Sequence, residues 1–298
     1  MLTPKGNEME SNPFVSVIIP TYRDEKRLQK CLDALQNQTY PAEDFEIIIV
    51  DNDEKENNHF SIKLPDNAVL KKETTPGSYI ARNTGIKHAG GQVFAFTDSD
   101  CVPDPEWLQN SVICLAKGND RIAGRIVLFC TSKKRTIAEA YEILFSFNQK
   151  IMAKSGKSVT ANMACWRYCF DYVGEFDATL FSGGDTEWSH RASGAGLNIV
   201  YAPHAIVKHP ARKSLKDLLI KRKRTAGSFP ITSKTTRQPV FLLKGFMPPF
   251  WEWRTIVYSK KITLYEKIAL IPISYFLKIY NTCVKIAIIR GWTNPSRY

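Results

Sequence analysis

A chain of 298 residues holds one large α/β domain with an appendage, or two ordinary domains. With 44% apolar and 23% charged residues, a chain too polar to bury a core is excluded. The net charge of +12 favours a polyanionic partner, and nucleic acid, anionic lipid and sugar diphosphates all satisfy that requirement.

Residues 1–12 are polar, carry Glu8 and Glu10, and read as a flexible leader without a secretory signal. The apolar run at 15–20 suits a buried strand, and Leu28, Cys31, Leu32 and Leu35 predict a helix after it. A second run at 45–50 ends in Asp51, Asn52 and Asp53. This β-α-β unit has uninterrupted apolar strands, which fit a parallel sheet covered on both faces. Residues 68–72 predict a third strand, and 78–89 a helix stopped by Gly90 and Gly91. A fourth strand at 92–97 runs into Asp98, Ser99 and Asp100. Pro103, Asp104 and Pro105 open a helix through Trp107, Leu108, Val112 and Leu115, and 121–129 form another strand. Further on, 136–152 predict one amphipathic helix, 183–192 a helix entered through glycines, and 197–201 and 205–208 short strands.

The seven cysteines are scattered, and Cys165 and Cys169 share helical spacing without a CxxC. They read as buried free thiols, in a cytoplasmic, reducing compartment. Near residue 210 the composition shifts: from 211 to 244 there are ten Lys and Arg residues against one acid, Asp217. The expected organisation is a leader (1–12), a catalytic domain (13–210) and a basic, amphipathic C-terminal region (211–298). In that region Phe246, Met247, Phe250, Trp251, Trp253 and Ile256 stand beside Arg254, a mixture suited to a membrane interface. Along 262–289, Lys267, Ser274, Lys278 and Lys285 continue a polar stripe begun at Lys260, and Pro272 interrupts the helix. Three lysines inside a membrane span are costly, which favours a helix lying on the membrane surface. A helix packed on the catalytic domain, or across a homodimer, is the competing account.

Ligands of open α/β sheets collect beyond the carboxyl ends of strands, where both acidic clusters stand. Two carboxylates one residue apart, Asp98 and Asp100, can approach one hard cation, Mg2+ or Mn2+, and the phosphate oxygens it bridges. An ordinary acidic turn is the alternative; the buried strand directly before it favours the metal.

Several separated segments resemble family 2 glycosyltransferases in one order. They are Val17-Ile-Ile-Pro-Thr-Tyr-Arg23, Gln38-Thr-Tyr-Pro41, Glu46-Ile-Ile-Ile-Val-Asp51, Ala81-Arg-Asn-Thr-Gly-Ile86, Thr97-Asp-Ser-Asp100 and Pro103-Asp-Pro-Glu-Trp-Leu108. Val173-Gly-Glu-Phe-Asp177 and Ser182-Gly-Gly-Asp-Thr-Glu-Trp188 complete the set. The resemblance, over roughly residues 15–210, implies the GT-A fold: Rossmann-like, with a mostly parallel central sheet and flanking helices. To this the sequence adds the C-terminal helical extension. It implies a nucleotide-sugar donor, UDP- or dTDP-linked by preference, a glycan or lipid-linked acceptor, and inversion at the anomeric carbon.

Position by position, the resemblance assigns Thr21, Arg23 and Asp51 to the nucleotide pocket and Arg82 to the phosphates or sugar. Asp98 and Ser99 fall at the donor, with Asp98 and Asp100 at the metal and His209 in the place of a later metal ligand; His204 is the weaker candidate. Asp185 matches the catalytic base, which takes a proton from the acceptor hydroxyl; an N-cap aspartate is the other reading. Glu187 and Arg191 support its helix, and Trp188 either stacks on a sugar or fills core. Asn162 and Met163 match the segment before the acceptor pocket. Arg222 and Arg224 correspond to a basic lid, and a solvated charge run explains them equally. The pattern departs at Asp51-Asn52-Asp53, where many relatives have two acids and a glycine, leaving Asp53 without a role. A sugar nucleotidyltransferase would carry a glycine-rich phosphate loop after the first strand, which Pro20-Thr-Tyr-Arg23 is not. A non-catalytic basic module for anionic lipid or nucleic acid accounts for the charge but not for carboxylates at strand ends.

Overall fold

The computed structural model describes residues 12–55, 62–227 and 244–293. The expected leader, apart from Asn12, and the basic residues Lys234 and Arg237 lie outside them. The apolar runs become the inner strands of an eight-stranded sheet in the order β3-β2-β1-β4-β7-β6-β8-β5. β1 (Val15–Thr21), β2 (Phe45–Asp51), β3 (Ala68–Lys72) and β4 (Val93–Thr97) are parallel to one another. β7 (Asn162–Trp166) pairs antiparallel with both β4 and β6 (Arg121–Phe129). The short β5 (Val102–Pro103) pairs antiparallel with β8 (Ile199–Pro210), so the sheet is mixed.

Two cores follow from strand alternation, because successive side chains point to opposite faces. Val15, Val17, Ile19, Ile47 and Ile49 share one core with α1 (Glu25–Gln36) and α3 (Trp107–Ala116). Ile18, Ile48, Val50, Phe94 and Phe96 share the other with α2 (Ser78–His88), α6 (Arg167–Val173) and α7 (Gly184–Gly194). Trp188 is completely buried there, stacked on Phe170 at 4.3 Å, so it fills core.

The helix predicted over 136–152 is two: α4 (Ile137–Phe145) and α5 (Gln149–Lys154). Asn148 caps α5 by accepting from Ile151 N, and Phe147 adopts a positive φ of 55° between them. Capping and a left-handed residue together end α4. The strand candidates 197–201 and 205–208 are one continuous strand. Cys165 and Cys169 share no helix, since Cys165 belongs to β7 and Cys169 to α6; both are buried free thiols.

The chain divides into two compact units. The first comprises Met1–Val127, Phe147–Leu180 and Gly184–His209, and the second Leu128–Ser146, Phe181–Gly183 and Pro210–Tyr298. Residues 128–146 therefore group with the C-terminal region. The reason is a helical core in which Ala138, Ala140 and Tyr141 of α4 meet Leu218 of α8 (Leu215–Ala226), Ile256 of α9 (Phe250–Tyr258) and Leu270 and Leu277 of α10 (Leu264–Ile289). Capping boxes at Thr136/Glu139, Ser214/Asp217 and Thr263/Glu266 start three of these helices.

The polar stripe of α10 turns inward. Ser274 is buried and accepts from Trp253 Nε1, while Lys267 and Lys278 donate to the carbonyls of Val257 and Met247. Leu264, Tyr265, Ile268 and Phe276 are exposed instead. Among the described residues, no helix is long and apolar enough to cross a membrane.

Candidate active site

Strand register assembles the acidic end of the site. β5 leaves the Asp98–Asp100 turn and pairs with β8 through Val102↔Lys208. Extending that register by one residue sets Cys101 across from His209. His209 Nε2 lies 3.7 Å from Asp100 Oδ1, and the ligand atoms of Asp98, Asp100, Cys101 and His209 all fall within 4.8 Å of one another. Two carboxylates and an imidazole suit Mn2+ or Mg2+. Burial, with the Asp98 and Asp100 charges behind it, pushes the Cys101 thiol well above its usual range. His204 is exposed and outside this group.

Arg82 Nη2 donates to Asp98 Oδ1 at 2.5 Å, and Nη1 to Ser78 O. Its Nε is buried without a partner among the described residues, as is the Thr21 hydroxyl at the end of β1. Both belong to residues the sequence assigned to the donor. Unsatisfied buried donors are rare enough to require an explanation, and a bound ligand is one.

Asp51 is buried, accepts from Lys72 Nζ at 2.7 Å, and also accepts from the Asp53 amide. Asp53 holds Arg23 by two bonds, at 2.8 and 2.9 Å, which drives its carboxyl far below the ordinary range. Asp53 thereby gains the role the sequence left open. It orients Arg23, whose backbone stands at a φ of 49°, in a region few side chains adopt. Asn52 accepts from Gly77 N and donates to the carbonyls of Glu73 and Thr75, fixing the approach to α2.

Asp185 opens α7. Gly183, just before that helix, has a left-handed φ of 78°. Burial raises the Asp185 carboxyl above the usual range; the Thr186 amide, the Arg82 charge, the Tyr79 hydroxyl and the Thr160 amide pull the other way. Arg82, paired with Asp98, thus also acts on Asp185 through its charge. Glu187 pairs with Arg191, which also donates to the carbonyls of Val173 and Glu175. Asn83 exchanges two bonds with the Phe176 backbone, tying α2 to the segment before α7.

The structure brings Arg82, Asp98, Asp100 and His209 together, with Asp185 within electrostatic reach of Arg82, and places Thr21 and Asp51 at the ends of the neighbouring strands β1 and β2, with Arg23 just beyond β1. Ser99 stands in the turn between the two acids. Arg222 and Arg224 belong to α8 of the second unit, where Arg222 donates to the Tyr141 hydroxyl. Asn162 is structural: its side chain accepts from Trp107 Nε1 and donates to the carbonyls of Arg125 and Ala205. Sequence reasoning missed Arg27, 3.5 Å from Asp100, and Phe147, whose ring lies 4.6 Å from that of His209. It also missed Tyr79, although its spacing from Arg82 is one helical turn.

Comparison with known proteins gives a consistent picture. Residues 16–172 match the family model described as Glycosyl transferase family 2. The chain is 36% identical over 206 residues to the glycosyltransferase AglE of Haloferax volcanii, covering 67% of this chain and 68% of that protein. It is 25% identical over 229 residues to a dolichyl N-acetyl-alpha-D-glucosaminyl phosphate 3-beta-D-2,3-diacetamido-2,3-dideoxy-beta-D-glucuronosyltransferase of Methanococcus voltae, covering 69% and 70%. Among solved structures, the mannosyltransferase PcManGT of Pyrobaculum calidifontis, in complex with GDP-Man and Mn2+, superposes with a TM-score of 0.64 at 16% identity, covering 95% of this chain and 89% of that one. TarS 1–349 of S. aureus in complex with UDP-GlcNAc gives a TM-score of 0.54 at 17% identity, covering 93% and 92%. These likenesses establish the fold as GT-A.

Proposed function

Since the chain belongs to glycosyl transferase family 2 and is an enzyme that transfers sugars, we propose that it moves a sugar from a UDP- or dTDP-sugar to a hydroxyl of a glycan or lipid-linked acceptor, with inversion, in cell-surface polysaccharide synthesis. The observation that carries this reading is the cluster of Asp98, Asp100 and His209 with Arg82 paired to Asp98, the same arginine whose charge acts on Asp185. Asp185 takes the proton of the acceptor hydroxyl as its oxygen forms the bond to the anomeric carbon. The bond from that carbon to the diphosphate oxygen breaks, and its electron pair leaves with the nucleoside diphosphate. The burial that raises the Asp185 carboxyl suits a proton acceptor better than a fully solvated aspartate would.

Asp98, Asp100 and His209 are the residues that would hold Mn2+ or Mg2+, which when bound neutralises charge on the diphosphate. Arg82 would bind the same anion, with its buried Nε and the Thr21 hydroxyl as donors for it. Arg23, fixed by Asp53, and Asp51 hold the nucleoside.

A panel of UDP-, dTDP- and GDP-sugars, screened for Mn2+-dependent binding and slow hydrolysis, tests this. Asp185→Asn should keep donor binding and lose turnover by about two to four orders of magnitude. Asp100→Ala should lose the metal-dependent part of donor affinity. Wild-type turnover in Asp185→Asn removes the base; donor affinity indifferent to both Mn2+ and Asp100→Ala removes the metal.

The second unit is proposed to lie on the cytoplasmic face of the cell membrane. Besides the exposed apolar residues of α10, Phe250, Trp251, Val257 and Tyr258 are exposed on α9, with Arg254, Lys260 and Lys261 exposed beside them. Apolar and aromatic side chains among cations fit an anionic bilayer surface. Wild type should sediment with phosphatidylglycerol vesicles, and a Trp251→Ser, Tyr258→Ser, Tyr265→Ser triple variant should remain in solution. Equal sedimentation of the two would refute the contact.

A further inference from the structure

The sheet delivers one more donor to the acidic end of the site, the thiol of Cys101, which the transfer step described above does not use. The Cys101 side chain is completely buried, and its amide donates to Asp98 O, closing the turn that carries both acids. Pairing of β5 with β8 sets it across from His209, itself 5% exposed. Cys101 Sγ stands 3.9 Å from Asp100 Oδ1, and His209 Nε2 stands 3.7 Å from the same oxygen. Asp98 completes the group, in which the four ligand atoms all lie within 4.8 Å of one another. Cys31, the neighbouring thiol, is outside it: its Sγ approaches the carbonyl of Asp98 at 3.8 Å.

Spacing and donor type both discriminate between cations. Donors at zinc bond lengths of about 2.0–2.3 Å stand about 3.3–3.6 Å apart on a tetrahedron. Neighbouring oxygens around octahedral Mg2+, at about 2.1 Å, stand only about 3.0 Å apart. The 3.7 and 3.9 Å separations at Asp100 are nearer the tetrahedral spacing, and the widest gap needs about 1 Å of side-chain movement to close. A thiol beside an imidazole also suits zinc, whereas Mn2+ and Mg2+ favour oxygen.

We propose that Asp98, Asp100, Cys101 and His209 form a closed four-donor site for Zn2+, whose occupation bars the sugar diphosphate that Mn2+ or Mg2+ admits. This rests on the reading of Asp98, Asp100 and His209 as metal ligands. A six-coordinate cation held by two carboxylates and an imidazole keeps positions for phosphate oxygens. Tetrahedral Zn2+ held by four protein donors keeps none. The metal–sulfur bond forms as the thiol proton leaves to solvent. Cys101 thus makes the transfer site one that zinc can shut.

Co2+ is the probe, because a cobalt–thiolate bond absorbs in the near ultraviolet and tetrahedral cobalt absorbs strongly in the visible. Wild type titrated with Co2+ should show both absorptions, and Zn2+ should abolish them. Cys101→Ser should lack the sulfur band, and Cys31→Ser should keep it. Zn2+ affinity, read by competition with a chromophoric chelator, should fall at least about a hundredfold in Cys101→Ser, since even an outer partner of a ligand is worth up to that much. Whichever of UDP-glucose, dTDP-glucose and GDP-mannose binds with Mn2+ should be released from wild type by Zn2+. A cobalt complex without the sulfur band overturns the proposal, as does a band that survives Cys101→Ser, or a donor held as tightly with Zn2+ as with Mn2+. The wild-type spectrum and release need no variant, so misfolding of Cys101→Ser leaves both decisive. Donor affinity indifferent to Mn2+ would instead defeat the metal reading of the transfer site, and the cobalt spectrum would still report whether the thiol binds.

Discussion

Glu142 in the helical unit and Asp98 at a strand end of the first unit each face an arginine, but the two arrangements close differently. Glu142 is 1% exposed and accepts from Arg212, Lys221 and Ser146, which satisfy it from three sides. Asp98 is about a third exposed, and its arginine keeps a buried Nε with no partner among the described residues. Charge that holds a fold consumes its own hydrogen-bonding capacity, whereas charge kept for a ligand leaves donors over. The comparison also shows why residue type alone misleads: both groups are carboxylates beside cations, and only the accounting of their polar atoms separates them.

The largest effect should come from opening the closed group. Glu142→Ala leaves the half-buried Arg212 and Lys221 without their acceptor and should cost about 3 kcal/mol of stability in urea denaturation. Asp100→Asn, at a partly exposed carboxylate, should change stability by less than about 0.5 kcal/mol. Similar losses from both would erase the distinction. A smaller effect sharpens it from the other side. Thr21→Val replaces the buried, unpartnered hydroxyl with a methyl of the same shape and should raise stability by about 1 kcal/mol. The same change should weaken Mn2+-dependent donor binding about fivefold, since the proposed function gives that hydroxyl to the ligand. A less stable protein with unchanged donor affinity would show that the hydroxyl serves the fold.

How much of this was legible in the sequence depended on whether the signal was local. The parallel strands were, because Val17 to Ile19 and Ile47 to Val50 are buried on both faces and so lack polar interruptions. The carboxylates at their ends were legible for the same reason. β7 was not, since Asn162 places an amide inside a strand whose need for it comes from Trp107, Arg125 and Ala205, far off in the chain. The break at Phe147 was hidden in an apolar pattern that continues across it; the Asn148 cap was the available sign. The Gln38-Thr-Tyr-Pro41 segment could be matched but not explained until Gln38 was seen bonding to Asp104 O and Leu108 N, and Tyr40 to Pro13 O. The stripe on α10 was legible as a stripe and its side was not, because helical periodicity fixes which residues share a side and says nothing about which side meets the protein.

Acid should separate the two kinds of carboxylate by sign, in the smallest of the expected effects. Against the opposing effect of burial, the Lys221 and Arg212 charges hold Glu142 at about 2, below its ordinary 4.5. The bond from Arg135 likewise holds Glu266 at about 2. Their stabilisation is complete above the ordinary value and is lost as pH falls through about 2. Asp185 runs the other way: burial favours its protonated form, so its contribution is present in acid and lost as pH rises through its raised midpoint. Asp185→Asn should therefore have a Tm at or above wild type at pH 7, with the gap narrowing toward pH 3. Glu142→Gln should lie below wild type at pH 7 and approach it over the same range. An Asp185→Asn protein less stable than wild type at pH 7 would mean that its carboxylate is a paired structural group like Glu142, with no proton affinity to spare for an acceptor.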